Sequence, residues 1–205
     1  GEFSALINSL LIAKEMLPLS EFVQKVVDDA GLITWSVGSP IGKIQITDDF
    51  APHLDKFKHT LDVATALEAK NIRLFSFYLP KEDDASNYRN EVIDRMGALL
   101  VAAKGTGIAL CHENEKGIYG DIASRCLDIH KAVPELGGIF DPANFVQCKQ
   151  DTLEAWDMLN PYITYMHIKD AGEDGKVVPA GEGIGNVGAI LKKYYAMGGR
   201  DLTLE

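Results

Sequence analysis

Three cysteines in 205 residues, Cys111, Cys126 and Cys148, are too few and too irregularly spaced for a disulfide framework or a thiolate zinc site, and read as reduced thiols. Basic runs are missing too. The 20 Lys and Arg are scattered among 30 Asp and Glu, and a net charge of −10 argues against a nucleic-acid or anionic-membrane surface. No apolar stretch reaches the roughly 18 residues that span a bilayer, and the segment from Phe3 to Ala13 lacks the basic leading region of a signal peptide. The expectation is a soluble, cytoplasmic protein whose partner is a small molecule. A GxGxxG after a strand is also lacking. Gly181, Gly183 and Gly185 form only GxGxG, so a dinucleotide-binding fold is disfavoured.

What is present is an alternation of strand and helix patterns over 46% hydrophobic residues, enough for one domain spanning 1–205. The first eighteen residues are apolar but carry no motif that fixes their role. Phe22, Val23, Val26 and Val27 place a helix over 20–30, with Ser20 as N-cap and Gly31 beyond its end. The β-rich 32–37 leads into the turn-rich Gly38-Ser-Pro-Ile-Gly-Lys43. Leu54, Phe57, Leu61, Ala64 and Leu67 mark a helix over 51–70 that Asn71 closes in a left-handed conformation. Further strands are expected over 72–79, 107–112, 137–140, 162–167 and 201–204. Between them the spacing predicts helices over 86–104, 122–133 with Asp121 as N-cap, 152–159 and 186–197. No hairpin signal interrupts the alternation, so the sheet should be parallel with right-handed crossovers, either a barrel or an open doubly wound sheet.

Four strands end in residues of one chemical kind. Glu113, Asp141, His167 and Glu205 are separated by 28, 26 and 38 residues, one strand-helix repeat each, the last lengthened by the Gly-rich loop. In such folds the C-terminal strand ends share one face, where ligands bind. Three carboxylates brought together there repel and do not all stay ionised without a cation. A single acid after a strand is more often a helix N-cap, and a lone His more often hydrogen-bonded, but four in phase point to a divalent metal. Three oxygen ligands and one imidazole suit Mn²⁺ first, with Mg²⁺, Co²⁺ or Zn²⁺ as alternatives. His112 reads as a strand-end residue satisfied by backbone, and His53, His59 and His130 as surface or packing residues.

The segments CHENEKGIYGD, FDPANF, YMHIKDA, the GEG loop and the closing LTLE, with GSPIGK near the front, resemble the sugar phosphate isomerase/epimerase family, the xylose-isomerase-like TIM barrels. The resemblance runs from about Gly31 to the end. It implies an α/β fold, a (β/α)₈ TIM barrel, with Glu113, Asp141, His167 and Glu205 as metal ligands and Glu113 and Glu205 as the acid/base pair. It further implies an isomerase or epimerase of a small sugar, sugar phosphate or hydroxy-carbonyl compound acting through an ene-diolate. An inosose-type dehydratase on the same metal site is the alternative, and a catalytically inactive sugar-binding barrel is opposed by the complete ligand set. Glu115, Tyr119, Asn144 and Lys169 are candidates for gripping substrate hydroxyls or a phosphate, with Lys43 as an addition from the GSPIGK loop.

Two departures count against ketose 3-epimerase activity: Asn144 stands where those epimerases carry a His, and Lys169 is the nearest cation to where they carry an Arg. A DNA-repair endonuclease on the same barrel would need more than five His and a basic groove. Six strands are countable where the closed barrel has eight. The barrel therefore reads as incomplete at both ends, with two unpaired edges, and the 205-residue chain is not expected to be a stable monomer. The purified protein should be longer, or the gap should be filled by the segment before Ser20 and a partner subunit in a homo-oligomer.

Overall fold

The computed structural model describes residues 2–204. Strands β1 (Ser36–Gly38), β2 (Asn71–Leu74), β3 (Ala109–Glu113), β4 (Gly137–Phe140), β5 (Ile163–Ile168) and β8 (Leu202–Leu204) form one sheet in that order, every neighbouring pair parallel. The sheet is strongly curled. Ser36 Oγ lies 3.0 Å from the Tyr165 hydroxyl, and the Trp35 ring meets that of Tyr165 edge-on at 6.4 Å. In a flat sheet the first and fifth strands would be about 19 Å apart, so these contacts require a half-barrel. Six strands of an incomplete TIM barrel are what the sequence led one to expect.

Helices cover the outer face because alternate strand residues point there. Outward-facing Ile72, Leu74 and Leu110 pack with Phe57 and Leu61 of α3 (Ala51–Ala66) and with Val92, Met96 and Leu99 of α4 (Arg89–Ala103). Phe140, Met166 and Ile168 do the same with Trp156 of α7 (Thr152–Leu159) and with Ile190 and Tyr194 of α8 (Val187–Ala196). There Trp156 meets Phe140 and Tyr194 edge-on at 5.3 and 5.9 Å. The opposite parity faces inward: Arg73, Cys111 and Glu113, Ile139, Tyr165 and His167. That parity builds the site.

Several local expectations are corrected. The apolar leading segment is helical, α1 (Glu2–Met16), and packs against α2 (Leu19–Asp29). Helix α2 begins after Pro18, whose fixed φ suits a helix start, so Ser20 lies inside the helix rather than capping it. Asn71 does not close α3. Glu68 takes the left-handed turn at φ 50°, and Asn71 opens β2, donating its side-chain amide to Trp35 O at 3.0 Å. Asp121 does not cap α5 (Ala123–Ala132) either. Ile122 is the N-cap residue, and Asp121 is paired with Arg125.

The strand expected over 72–79 ends at Leu74, because the main chain of residues 75–78 bonds to the loop at 41–46 instead: Phe75 N–H donates to Ile41 O at 2.8 Å and Phe77 N–H to Gly42 O at 3.0 Å. Phe77 sits at φ 66°, unusual for a bulky residue. Gly42 is required there, since at its φ of 89° a Cβ would fall 1.9 Å from Phe75 O. An unexpected antiparallel hairpin, β6 (Asp170–Ala171) with β7 (Val177–Val178), stands outside the main sheet, and the short α6 (Pro142–Gln147) comes directly after Asp141.

Candidate metal centre

Strand β3 carries Cys111 and Glu113 inward and His112 outward. Glu113 is in register with Ile139 of β4, so two residues further on Asp141 comes to the same inner face. Strand β5 adds His167 by the same rule. The result is convergence: donor atoms of Glu113, Asp141 and His167 lie within 4.8 Å of one another, and the three side chains are 2%, 0% and 2% exposed. His167 Nδ1 faces Glu113 Oε1 at 3.1 Å and Asp141 Oδ2 at 3.7 Å. Glu205, expected as the fourth ligand, lies outside the described residues.

The two carboxylates are held differently. Asp141 divides its oxygens: Oδ1 accepts from Asn144 N–H at 2.9 Å and so caps α6, while Oδ2 is turned to the site and faces Lys169 Nζ at 2.8 Å. One oxygen of this acid thus caps a helix and the other is left to the site. Asn114 fixes the Asp141 main chain on both sides. Its Oδ1 accepts from Asp141 N–H and its Nδ2 donates to Asp141 O, each at 3.0 Å. Glu113 Oε1 accepts from Asn144 Nδ2 at 3.2 Å, and Oε2 faces Arg73 Nη1 at 3.3 Å. Burial, opposed by the bond to His167, holds the Glu113 carboxyl above the ordinary glutamate range.

Glu113 Oε2 and Asp141 Oδ2 are buried yet make no well-aligned hydrogen bond, although a cation faces each. One carboxylate oxygen each from Glu113 and Asp141 and an imidazole nitrogen, within 4.8 Å of one another, are a donor set that fits a divalent cation. Beside it a cavity of about 750 Å³ opens on the inner face, lined among others by Trp35, Ser36, Arg73, Tyr165, His167 and Thr203.

The remaining candidates separate. Lys169 is in the site. Glu115 is at its edge, where Oε2 accepts from Lys43 Nζ at 2.8 Å while Lys43 stands 4.1 Å over the Phe75 ring. Asn144 is buried, and its amide is committed to Glu113 and, at 2.9 Å, to Asn114 O. Tyr119 turns its hydroxyl away, donating to Asp128 Oδ2 at 2.9 Å. Arg73 and Asn114 escaped the sequence reading, and the only signal for either was inward parity or adjacency to Glu113.

His112 is satisfied by a side chain rather than by backbone. Its Nε2 lies 3.0 Å from Ser76 Oγ on the outer face, with the His130 ring edge-on at 6.1 Å. The Gly-rich loop proves to be an internal anion cradle. The fully buried Asp170 carboxylate accepts from the N–H groups of Ala171, Gly181, Gly183 and Gly185 at 2.8–3.1 Å.

Fold and site together define a parallel α/β barrel with a carboxylate-histidine centre at the C-terminal strand ends. The chain belongs to the Xylose isomerase-like TIM barrel family, whose model matches residues 10–205. Among curated proteins none matches it. Of the solved structures it resembles, the probable 3-DHS dehydratase AsbF of Bacillus anthracis, involved in petrobactin synthesis, has a TM-score of 0.76 at 19% identity, over 96% of this chain and 78% of that one. A D-tagatose 3-epimerase-like protein has the same TM-score and identity, over 90% and 74%. An IOLI protein with a bound zinc atom has 0.75 at 13%, over 97% and 75%. At these identities the likeness establishes the fold. No helix among the described residues is long and apolar enough to cross a membrane.

Proposed function

We propose that the protein is a divalent-metal-dependent isomerase or epimerase of a small sugar, sugar phosphate or related hydroxy-carbonyl compound, acting through an ene-diolate. The observation that carries this reading is the buried convergence of Glu113, Asp141 and His167. These three, with Glu205, would hold the metal, Mn²⁺ first and Mg²⁺, Co²⁺ or Zn²⁺ as alternatives. When bound, the ion supplies positive charge beside the substrate's carbonyl oxygen, where negative charge develops on proton removal. Glu113 takes the proton next to the carbonyl. Its Oε1 is held in place by Asn144 Nδ2. Glu205 returns a proton at the adjacent or opposite position. In support, it stands two residues after Thr203, which is in register with His167 and lines the cavity. Lys169, Glu115 and Lys43 would meet substrate hydroxyls or a phosphate.

The likeness to a dehydratase supports a second outcome of the same proton removal, loss of a neighbouring hydroxyl as water. One experiment separates them: protein saturated with Mn²⁺ is incubated in D₂O with a panel of ketoses, ketose phosphates and cyclic keto-polyols. Deuterium entering beside the carbonyl of an otherwise isomeric product is expected, and Glu113→Gln should abolish it. A dehydrated product would favour the second reading. Absence of exchange across the panel, or full exchange by Glu113→Gln, would overturn both.

A further inference from the structure

The acid pair at the centre is matched by a cation pair, and its two members differ. Arg73 faces Glu113 Oε2 at 3.3 Å from within the sheet, its guanidinium carbon 5.2 Å over the Phe75 ring, and is held on both counts. Lys169 reaches Asp141 Oδ2 at 2.8 Å from a flexible four-carbon stem just beyond β5. Its main chain, by contrast, is anchored, because the next residue is Asp170 with its four N–H donors. Asp141 Oδ1 is committed to the cap of α6, so Oδ2 is the oxygen that Asp141 can offer a metal. Lys169 already stands on it. An ammonium and a divalent ion that share one buried acceptor repel each other, and the low local dielectric strengthens the effect.

We infer that Lys169 weakens divalent-metal binding at Asp141 and holds its positive charge for an anionic ligand bound beside the metal. The inference rests on the metal-dependent reading above. With the ion in place, Asp141 Oδ2 no longer needs the ammonium as its counter-charge. The stem can then carry it a short way to a ligand oxygen while Asp170 keeps its origin fixed. Metal affinity and anion affinity therefore respond in opposite directions when the charge is removed. A merely structural lysine would lower both.

Calorimetric titration of the full chain with Mn²⁺, followed by titration of the Mn²⁺-saturated protein with oxalate, tests this. Oxalate is a planar dianion with two adjacent oxygens, like an ene-diolate. Lys169→Met should bind Mn²⁺ at least about tenfold more tightly than wild type and oxalate at least about tenfold more weakly. Lys169→Arg should keep both affinities within about threefold, because the charge is retained. If Lys169→Met does not fold, Lys169→Gln should show the same two signs. Unchanged or weaker Mn²⁺ binding on loss of the charge, or undiminished oxalate binding, overturns the inference while leaving the metal reading intact. A wild-type protein that takes up no divalent ion removes the metal reading itself, and this inference with it.

Discussion

Asn114→Ala should damage the centre without touching any proposed ligand. The Asn114 side chain makes two hydrogen bonds, both to the main chain of Asp141, at 3.0 Å each, and both residues are buried. Truncation leaves the Asp141 N–H and C=O without these partners in the interior. The Asp141 carbonyl keeps Phe145 N–H at 3.4 Å, so the N–H is the group stripped of its partner, at a cost of about 1–3 kcal/mol. That is a measurable part of the roughly 5–15 kcal/mol that holds a typical domain together. Urea unfolding monitored by circular dichroism reads the stability. Mn²⁺ titration of the still-folded variant reads the second effect, since Asp141 is no longer fixed at β4's end and metal affinity should fall. Asn114→Asp should do no better, because it keeps the acceptor, loses the donor and adds a carboxylate to an already acidic cluster. A loss of stability below about 1 kcal/mol with unchanged metal affinity would refute the claim that Asn114 positions Asp141.

Asp141→Asn should weaken Mn²⁺ binding strongly by removing a charged ligand. Glu205→Gln should weaken it less and abolish turnover, and a fully active Glu205→Gln enzyme would remove Glu205 from the mechanism. Acid should destabilise the fold through its outer histidines. Burial holds His112 down to about 3 and His130 to about 4, below their ordinary 6.5. Below pH 6.5 the unfolded chain therefore binds protons that the folded one does not, and stability present above 6.5 is lost as pH falls towards 4 and then 3. His130 alone contributes on the order of 3 kcal/mol to that slope, and urea midpoints that stay flat between pH 7 and 4 would contradict it. Gly183→Ala would put a Cβ 2.3 Å from Ala171 O and 2.4 Å from Asp170 Oδ1. It should cost about 1–3 kcal/mol, and an unchanged unfolding midpoint would argue against the Asp170 cradle.

The six strands of the main sheet and their parallel pairing were legible because a parallel sheet covered by helices imposes period and phase on the chain. Ile72, Leu74, Leu110, Phe140 and Met166 all had to be apolar to bury the outer face. Helix termini were less legible. Asn71 and Asp121 are good capping residues by type, yet each was claimed by a stronger tertiary partner, the β1–β2 edge for Asn71 and Arg125 for Asp121. The break at Leu74 could not be read at all, because Phe75, Ser76 and Phe77 look like more strand. Only their backbone bonds to the 41–44 loop divert them.

The site shows the same division between phase and partnership. The convergence of Glu113, Asp141 and His167 was legible because equal spacing at strand ends is a property of the sequence, and parallel register converts that spacing into proximity. What braces them is a property of three dimensions. Asn114 comes next after Glu113 but spends its side chain on the neighbouring strand, and Arg73 comes from the preceding one. Beyond inward parity or adjacency to Glu113, the sequence around either residue announces no role. Tyr119 and Asn144 show the converse case. Both stand in the segments that carry the family resemblance and both are polar, which made them candidates for substrate. Both are buried, 4% exposed in each case, with their side chains hydrogen-bonded to Asp128 and to Glu113 and Asn114. A segment can therefore be recognisable because it touches substrate or because it holds in place what does. Only the direction of a side chain, fixed by partners far away in sequence, separates the two.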